Sequence, residues 1–190
     1  GAYSPAPIVN KKLEKKIVEK IVKPTLTALR KKKQPYKGIL YVGLMIKNNE
    51  PYLIEYNVRM GDPETEVVFP RLNNDMLELL DSMGTPKFND IKLSITENHA
   101  ATVILVSGGY PESYEKGKTI TGLNDISNEL IFHAGTIKKD NIFITNGGRV
   151  LAVTSTAKDF KKALKSSYSK IDKINFDRMN YRNDIGFDLL

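Results

Sequence analysis

The run Tyr52-Leu53-Ile54-Glu55-Tyr56-Asn57-Val58-Arg59 holds the side chains of this sequence best suited to chemistry. In a strand, residues two apart share a face, so Glu55, Asn57 and Arg59 are expected to project together from an otherwise apolar segment. A carboxylate and an amide oxygen suit a hard cation such as Mg²⁺, which takes oxygen ligands, keeps several waters and is commonly completed by substrate phosphates. A guanidinium one step further along can bind a phosphoryl or carboxylate group and offset charge that develops in a transition state. Just beyond, Gly61-Asp62-Pro63-Glu64-Thr65 sets two more carboxylates on a tight turn, and loops at strand ends are where sites usually sit. The competing reading of the same residues is an edge strand whose polar side chains face water.

Several elements must position these groups. Residues 38–47 and 51–59 are rich in β-branched and aromatic types and are separated by Asn48-Asn49-Glu50, which predicts two antiparallel strands joined by a short hairpin turn. Ahead of them Leu13, Ile17, Val18, Ile21, Val22, Leu26 and Leu29 recur at helical spacing. Pro24 removes a backbone donor, so a kink or restart is expected there, with Thr25 onward as the second piece. Residues 72–80 return to helical spacing with Asn73 or Asn74 as the cap. From 83 to 99 the pattern is broken by Gly84, Pro86, Asn89 and Asn98, which places a linker there and divides the chain into domains at 1–96 and 97–190.

The second half reads as a small all-β unit closed by a helix, giving an α+β chain overall. Strands are expected over 100–106, 118–120, 130–137, 141–145 and 149–154, with Asn146-Gly147-Gly148 as a hairpin turn between the last two. Phe160, Ala163, Leu164, Tyr168, Ile171 and Ile174 mark the helix, entered through Thr156-x-x-Asp159 in capping-box register. His133 could act as a general base, but a lone histidine on such a strand reads better as a packed or surface residue. Ser107-Gly108-Gly109 lacks the following helix and lysine of a phosphate cradle and reads as a turn.

At 190 residues, with 41% hydrophobic and 27% charged, the chain can bury one good core or two small ones. It has no cysteine, which excludes thiolate metal sites, thiol nucleophiles and a disulfide scaffold. The formal charge is +7, carried by 23 Lys and only 6 Arg. Lysine is a default solvated residue whereas arginine is the one selected for bidentate recognition, so the lysines at 11, 12, 15, 16 and 31–33 read as a solvated helix face. The alternative is a non-enzymatic basic module that binds RNA or another polyanion through that helix. The scarcity of arginine and the absence of RNP-like or zinc-finger patterns count against it. No window approaches the ~18 apolar residues of a membrane span, and no signal-peptide pattern opens the chain, so a soluble protein is expected; a cytoplasmic monomer without membrane or nucleic-acid partners is a further expectation, which these absences do not themselves establish.

The strings Tyr41-Val42-Gly43-Leu44-Met45 and Ile54-Glu55-Tyr56-Asn57-Val58-Arg59-Met60-Gly61-Asp62-Pro63-Glu64-Thr65 closely resemble the end of the ATP-grasp domain of the phosphoribosylamine–glycine ligase (glycinamide ribonucleotide synthetase) family. Ser107-Gly108-Gly109-Tyr110-Pro111, Phe132-His133-Ala134-Gly135-Thr136, Asn146-Gly147-Gly148-Arg149-Val150-Leu151 and Tyr181-Arg182-Asn183-Asp184-Ile185-Gly186 follow in the order of that family. The resemblance implies the C-terminal lobe of an ATP-grasp domain, an antiparallel sheet with helices, followed by a mainly-β barrel-sandwich-like domain with a C-terminal helix. It implies an ATP-dependent carbon–nitrogen ligase of purine biosynthesis that joins 5-phosphoribosylamine to glycine through a glycyl phosphate.

By the same resemblance Glu55 and Asn57 would hold Mg²⁺ or Mn²⁺ against ATP. Arg59 would neutralise phosphoryl charge, and Asp62, Glu64 and Thr65 would line the glycine and phosphoribosylamine side. Met45 and Ile54 would pack against adenine, although strict alternation sets Ile54 on the face opposite Glu55. Gly43 stands near the position where many ATP-grasp members carry a third acidic ligand. Arg149, Tyr181, Arg182 and Asp184 are expected in structural ion pairs and hydrogen bonds. Residues 81–99 match nothing in the family pattern. The chain opens on Gly1-Ala2 without methionine and begins where the family's N-terminal half would end, so it is expected to be a fragment that lacks that half and is inactive by itself.

Overall fold

The structure, a computed structural model, describes residues 1–126 and 130–189. In chain order it contains β1 (Ala2–Ser4), α1 (Lys11–Ile17), α2 (Lys23–Lys31), β2 (Tyr41–Lys47), β3 (Glu50–Asn57), α3 (Thr65–Val68), α4 (Met76–Ser82), β4 (His99–Val106), β5 (Leu130–His133), β6 (Thr136–Lys139), β7 (Ile142–Thr145), β8 (Arg149–Ala157) and α5 (Phe160–Ile171). These form two compact units that interleave along the chain. A hairpin unit comprises residues 5–61 and 73–94, and a sheet unit comprises residues 1–4, 62–72 and 95–190.

In the hairpin unit the first helical run begins at Asn10, whose side-chain oxygen accepts from the Leu13 N–H at 2.9 Å, satisfying one of the orphan donors of a helix start. The run does not restart at Thr25. A π-helical turn over Val18–Val22 lets the Lys23 N–H reach the Val18 carbonyl, and α2 starts at Lys23 with Pro24 in its first turn. Proline at that position has no helical donor to lose, so the wide turn absorbs it without a break. Strands β2 and β3 pair antiparallel across Asn48 and Asn49, both at positive φ (52° and 57°), the geometry that matches the strand twist. Helix α4 is capped by Asp75, whose Oδ1 accepts from the Glu78 N–H at 3.0 Å, and not by Asn73 or Asn74. Those two pin the later segment instead: the Asn73 N–H donates to the Ser94 carbonyl at 2.9 Å, and Asn74 Oδ1 accepts from the Ser94 N–H at 2.7 Å.

The sheet unit is a four-stranded antiparallel sheet in the order β1-β4-β8-β5. Strands β4 and β8 are buried along both faces, and α5 packs on them. Val103, Leu105, Leu151 and Val153 with Phe160, Leu164 and Ile171 form the centre of the core. Most of the buried hydroxyls here are satisfied locally: Thr154 Oγ1 donates to Thr102 Oγ1 at 2.8 Å and Ser167 Oγ to the Ala101 carbonyl at 2.9 Å, as burial favours, while Ser155 Oγ on β8 is buried without a partner. The opening residues are not merely an extended entry. Ala2 to Ser4 pair with β4, and Arg71 holds that edge through Ser4 Oγ (2.7 Å) and the carbonyls of Asn98 (2.7 Å) and Thr96 (3.2 Å).

Four expectations for this half change. The segment 130–137 is two strands, since Ala134-Gly135 breaks it and sends β5 to β8 and β6 to β7. Residues 118–120 form no strand but an isolated bridge, Thr119 to Ile144, flanked by backbone hydrogen bonds from the Ile120 N–H to the Phe143 carbonyl (2.8 Å) and from the Thr145 N–H to the Lys118 carbonyl (2.9 Å). Asn146-Gly147-Gly148 is no hairpin. The hairpin is β6–β7, turning at Asp140 and Asn141 with φ of 48° and 62°, and β8 belongs to the other sheet. Gly147 and Gly148 serve close approach instead. A Cβ on Gly147 would lie 2.9 Å from the Gly135 Cα, and one on Gly148 would lie 2.1 Å from a Tyr110 ring carbon. Helix α5 is capped by Asp159, which accepts from the Lys162 N–H at 2.8 Å; Thr156 lies in β8, so no capping box forms.

Candidate functional site

On the hairpin, the register decides which groups meet. Tyr41 faces Asn57, Gly43 faces Glu55 and Met45 faces Tyr52, but Leu44 faces Leu53, so Ile54 is one residue too many and forms a β-bulge. Directly opposed residues share a face, and the unbroken alternation of Tyr41, Gly43 and Met45 therefore collects Met45, Tyr52, Glu55 and Asn57 on one side of the ribbon. Strict alternation does not apply at Ile54, which stands out of register and is 63% exposed, like Met45 at 59%. Tyr52 joins this face unannounced, because a bulge leaves no mark in the residue types.

Glu55 Oε1 accepts from Asn57 Nδ2 at 2.9 Å. Arg59 follows, one guanidinium nitrogen on Asn57 Oδ1 at 3.3 Å and the other on the Met60 carbonyl at 2.8 Å. Carboxylate, amide and guanidinium are thus linked in a row; the expected strand to residue 59 ends at Asn57, so alternation aligns Glu55 with Asn57, and Arg59 joins them from the bend beyond the strand through its own hydrogen bonds. Opposite them, a Cβ on Gly43 would come within 2.9 Å of the Glu55 Cγ, so the bare glycine leaves the carboxylate room. The two side chains are of the kind a hard divalent cation takes, with phosphate and water completing the shell; for Asn57 to share an ion with Glu55 its amide would have to turn, because its nitrogen now faces Glu55 and its oxygen Arg59. Among the described residues no group of three or more His, Asp or Glu side chains is placed to hold a metal.

The chain passes from one unit to the other at Gly61–Asp62. Asp62 is held within the sheet unit by Arg149, at 3.1 Å to Oδ1, 2.9 Å to Oδ2 and 3.2 Å to the Asp62 carbonyl. The Glu64 carbonyl accepts the N–H groups of Val67 (3.1 Å) and Val68 (3.0 Å), and Thr65 opens α3. Glu66, absent from the sequence reading, has an Oε2 that is buried without a hydrogen-bond partner. Burial raises its carboxyl above the ordinary value; its own backbone N–H and Arg149 oppose this, while Asp62 and Glu64 add to it. Only burial marks this residue, and burial has no local sequence signature. A cavity of about 390 Å³ adjoins the loop, lined by Pro63, Val103, Val106, Tyr110, Arg149 and Ile185 among others.

Around it the family-like strings interlock. Ser107 donates from its N–H to the Gly148 carbonyl at 2.8 Å and from Oγ to the Gly147 carbonyl at 2.9 Å, so the Ser-Gly-Gly segment is a turn engaged with backbone. His133 Nδ1 lies 2.9 Å from Thr136 Oγ1, its ring contacts Phe143 at 4.5 Å, and partial burial lowers its pKa, while the residue as a whole is exposed, which describes a surface histidine held by its neighbours. Arg182 forms a bidentate pair with Asp184 at 2.8 and 2.9 Å, and the Tyr168 hydroxyl donates to the Arg182 carbonyl at 2.8 Å.

The fold defines a class first. It is a mixed helix-and-sheet fold shared with biotin carboxylase from Campylobacter jejuni, with a TM-score of 0.62 at 15% identity over 98% of this chain and 43% of that one. The particular family comes from closer matches. The profile "Phosphoribosylglycinamide synthetase, ATP-grasp (A) domain" matches residues 1–65 and "Phosphoribosylglycinamide synthetase, C domain" matches residues 100–188. A phosphoribosylamine–glycine ligase of Chlorobaculum tepidum is 42% identical over 98% of this chain and 44% of its own length. The trifunctional purine biosynthetic protein adenosine-3 of Gallus gallus is also 42% identical, over 98% of this chain and 19% of its own length. The crystal structure of the Thermotoga maritima phosphoribosylamine–glycine ligase superposes with a TM-score of 0.82 at 35% identity, over 96% of this chain and 45% of that one. This chain belongs to the phosphoribosylamine–glycine ligase family, and it spans less than half the length of the stand-alone ligases it matches.

Proposed function

We propose that the chain supplies the metal-binding face and the C-terminal domain of a ligase that joins 5-phosphoribosylamine and glycine, with ATP, into glycinamide ribonucleotide, ADP and phosphate. The observation that carries this is the linked row Glu55, Asn57 and Arg59 beside the exposed apolar Met45 on one hairpin. Glu55 and Asn57 hold a divalent cation, Mg²⁺ or Mn²⁺. When bound, the ion neutralises nucleotide phosphate charge and orients the phosphates. Met45 and Ile54 pack against adenine. Arg59 offsets charge on the phosphoryl group as it passes to the glycine carboxylate, a reaction in which positioning and electrostatics carry most of the catalysis. Asp62, Glu64 and Thr65 receive glycine and the sugar amine, whose nitrogen then displaces phosphate from the acyl carbon.

In this reading 1–96 is the closing part of the ATP-grasp domain and 97–190 the C-terminal domain; the profile matches, 1–65 and 100–188, support that division. A barrel-sandwich arrangement of the second domain draws support from the β6–β7 ribbon and its bridge to Thr119. The compartment proposed is the cytoplasm. Among the described residues no helix is long and apolar enough to cross a membrane.

The full-length product of the encoding gene, assayed for ADP release dependent on both glycine and phosphoribosylamine, tests the proposal. Release that requires both, and that Glu55→Gln lowers at least about a hundredfold, supports it. Release indifferent to glycine overturns it.

A further inference from the structure

Arg149 and Asp62 lie 87 residues apart in sequence, yet one guanidinium occupies three acceptors of that single residue. We propose that Arg149 is a positioning residue of the ligase reaction, fixing the Asp62-Pro63-Glu64-Thr65 loop in the geometry that receives the substrates. The inference rests on the function proposed above.

The first support is the quality of the clamp. A planar guanidinium that meets both oxygens of a carboxylate fixes direction as well as distance, and lysine cannot reproduce that fork. The third bond, to the Asp62 carbonyl, fixes backbone as well as side chain. A carboxylate offers about four acceptor sites, so Asp62 retains capacity for a substrate donor while Arg149 holds it.

The second support is that Arg149 is itself tightly placed. Its carbonyl accepts from the Gly135 N–H at 2.8 Å. The two preceding glycines are wedged against Gly135 and the Tyr110 ring so closely that neither tolerates a Cβ, and both their carbonyls accept from Ser107. Two separated segments, around Ser107–Tyr110 and at Gly135, thus converge on the start of β8, and the group they present is this guanidinium. The pair is partly exposed, with side chains 39% and 53% accessible, and exposed ion pairs contribute little to stability. Such a convergence is out of proportion to a stabilising role and in proportion to a geometric one.

The third support is electrostatic. Asp62, Glu64 and Glu66 crowd three carboxylates into five residues, and the helix behind them, α3, is a single turn. Like charges at that spacing repel. Arg149 faces them and lowers the proton affinity of Glu66, so the cation counters the repulsion that would spread the loop.

The test has two arms. In the 190-residue chain, hydrogen exchange of residues 61–67 is expected to be at least about fivefold faster in Arg149→Gln than in wild type, with β4 and β8 unchanged and Arg149→Lys restoring only part. In the full-length gene product, Arg149→Gln is expected to lower kcat/KM for glycine and phosphoribosylamine about tenfold to a hundredfold, with the KM for ATP within about twofold of wild type. Unchanged loop exchange overturns the proposal. So does a loss that is equal for all three substrates and follows the melting temperature. If wild-type full-length protein makes no glycinamide ribonucleotide, the ligase reading fails by itself, and the clamp on the loop is then decided by the exchange arm alone.

Discussion

Two glutamates carry opposite pH signatures. Glu66 has a buried, unpartnered oxygen and a carboxyl raised chiefly by burial. A raised folded value favours the neutral form, so the stabilising contribution is complete below the ordinary carboxylate range and is lost as pH rises through the folded value. Glu66→Gln is therefore expected to raise the melting midpoint at pH 7 and to leave it nearly unchanged at pH 4; equal midpoints at pH 7 contradict the assignment. Glu50 is the reverse, held at about 2 by hydrogen bonds from Lys16 and Lys20. Its contribution is present above the ordinary value of 4.5 and is lost as pH falls toward 2. Because the cluster faces solvent its contribution is small, so Glu50→Gln should lower the midpoint at pH 6 only slightly and converge with wild type near pH 2, and thermal melts across that range decide it. The two also show what a sequence can and cannot disclose at this scale. Glu55 and Asn57 are legible because alternation is a local rule, and Arg59 because it follows them closely in the chain, although it lies past the end of the strand. Glu66 and the Arg149–Asp62 pair are not, because burial and a contact spanning 87 residues depend on tertiary structure that no spacing encodes.

At the scale of elements, the same residue type carries two meanings that a sequence does not separate. Asn48-Asn49 is a turn because both residues adopt positive φ, and its composition announces it. Asn146-Gly147-Gly148 has stronger hairpin composition, yet its glycines are there to let three segments touch. Turn glycine and contact glycine look alike until the partner strand is known. The same limit hides the bulge at Ile54, which moves Tyr52 onto the site face, and makes Pro24 look like a break where a π turn absorbs it. The contact reading of Gly148 has a direct consequence. Its Cβ would sit 2.1 Å from a Tyr110 ring carbon, a clash only a shift of ring or backbone can relieve. Gly148→Ala is expected to destabilise the chain by about 1–3 kcal/mol, read by urea denaturation. Adding Tyr110→Ala should recover part of the loss, since neighbouring sites couple. A turn-only role, with φ outside the left-handed region, predicts almost no cost and no coupling.

Across the whole molecule, the composition allows one good core or two small ones, and the structure shows one good and one thin. Of the buried apolar side chains among the described residues, only Leu13, Ile21 and Leu79 belong to the hairpin unit; the sheet unit holds the rest, including nearly all of β4 and β8. Much of what ties the hairpin unit together is polar and exposed, such as the Lys16–Glu50–Lys20 cluster and the Lys23–Glu19 pair, and such pairs contribute little in water. This also accounts for part of the net charge, because several of the lysines on the first helical run have structural partners within the unit, which weakens the case for a polyanion-binding face. The thin core coincides with the strands that carry the proposed metal and adenine contacts, and binding elements are commonly drawn from the low-stability end of a fold. Native-state hydrogen exchange should therefore resolve two classes. Amides of β4, β8 and α5 are expected to exchange at least about a hundredfold more slowly than those of β2 and β3, a ratio equivalent to about 2.7 kcal/mol of extra opening free energy. Uniform protection across both units would mean that the hairpin unit draws its stability from a source other than its own buried surface.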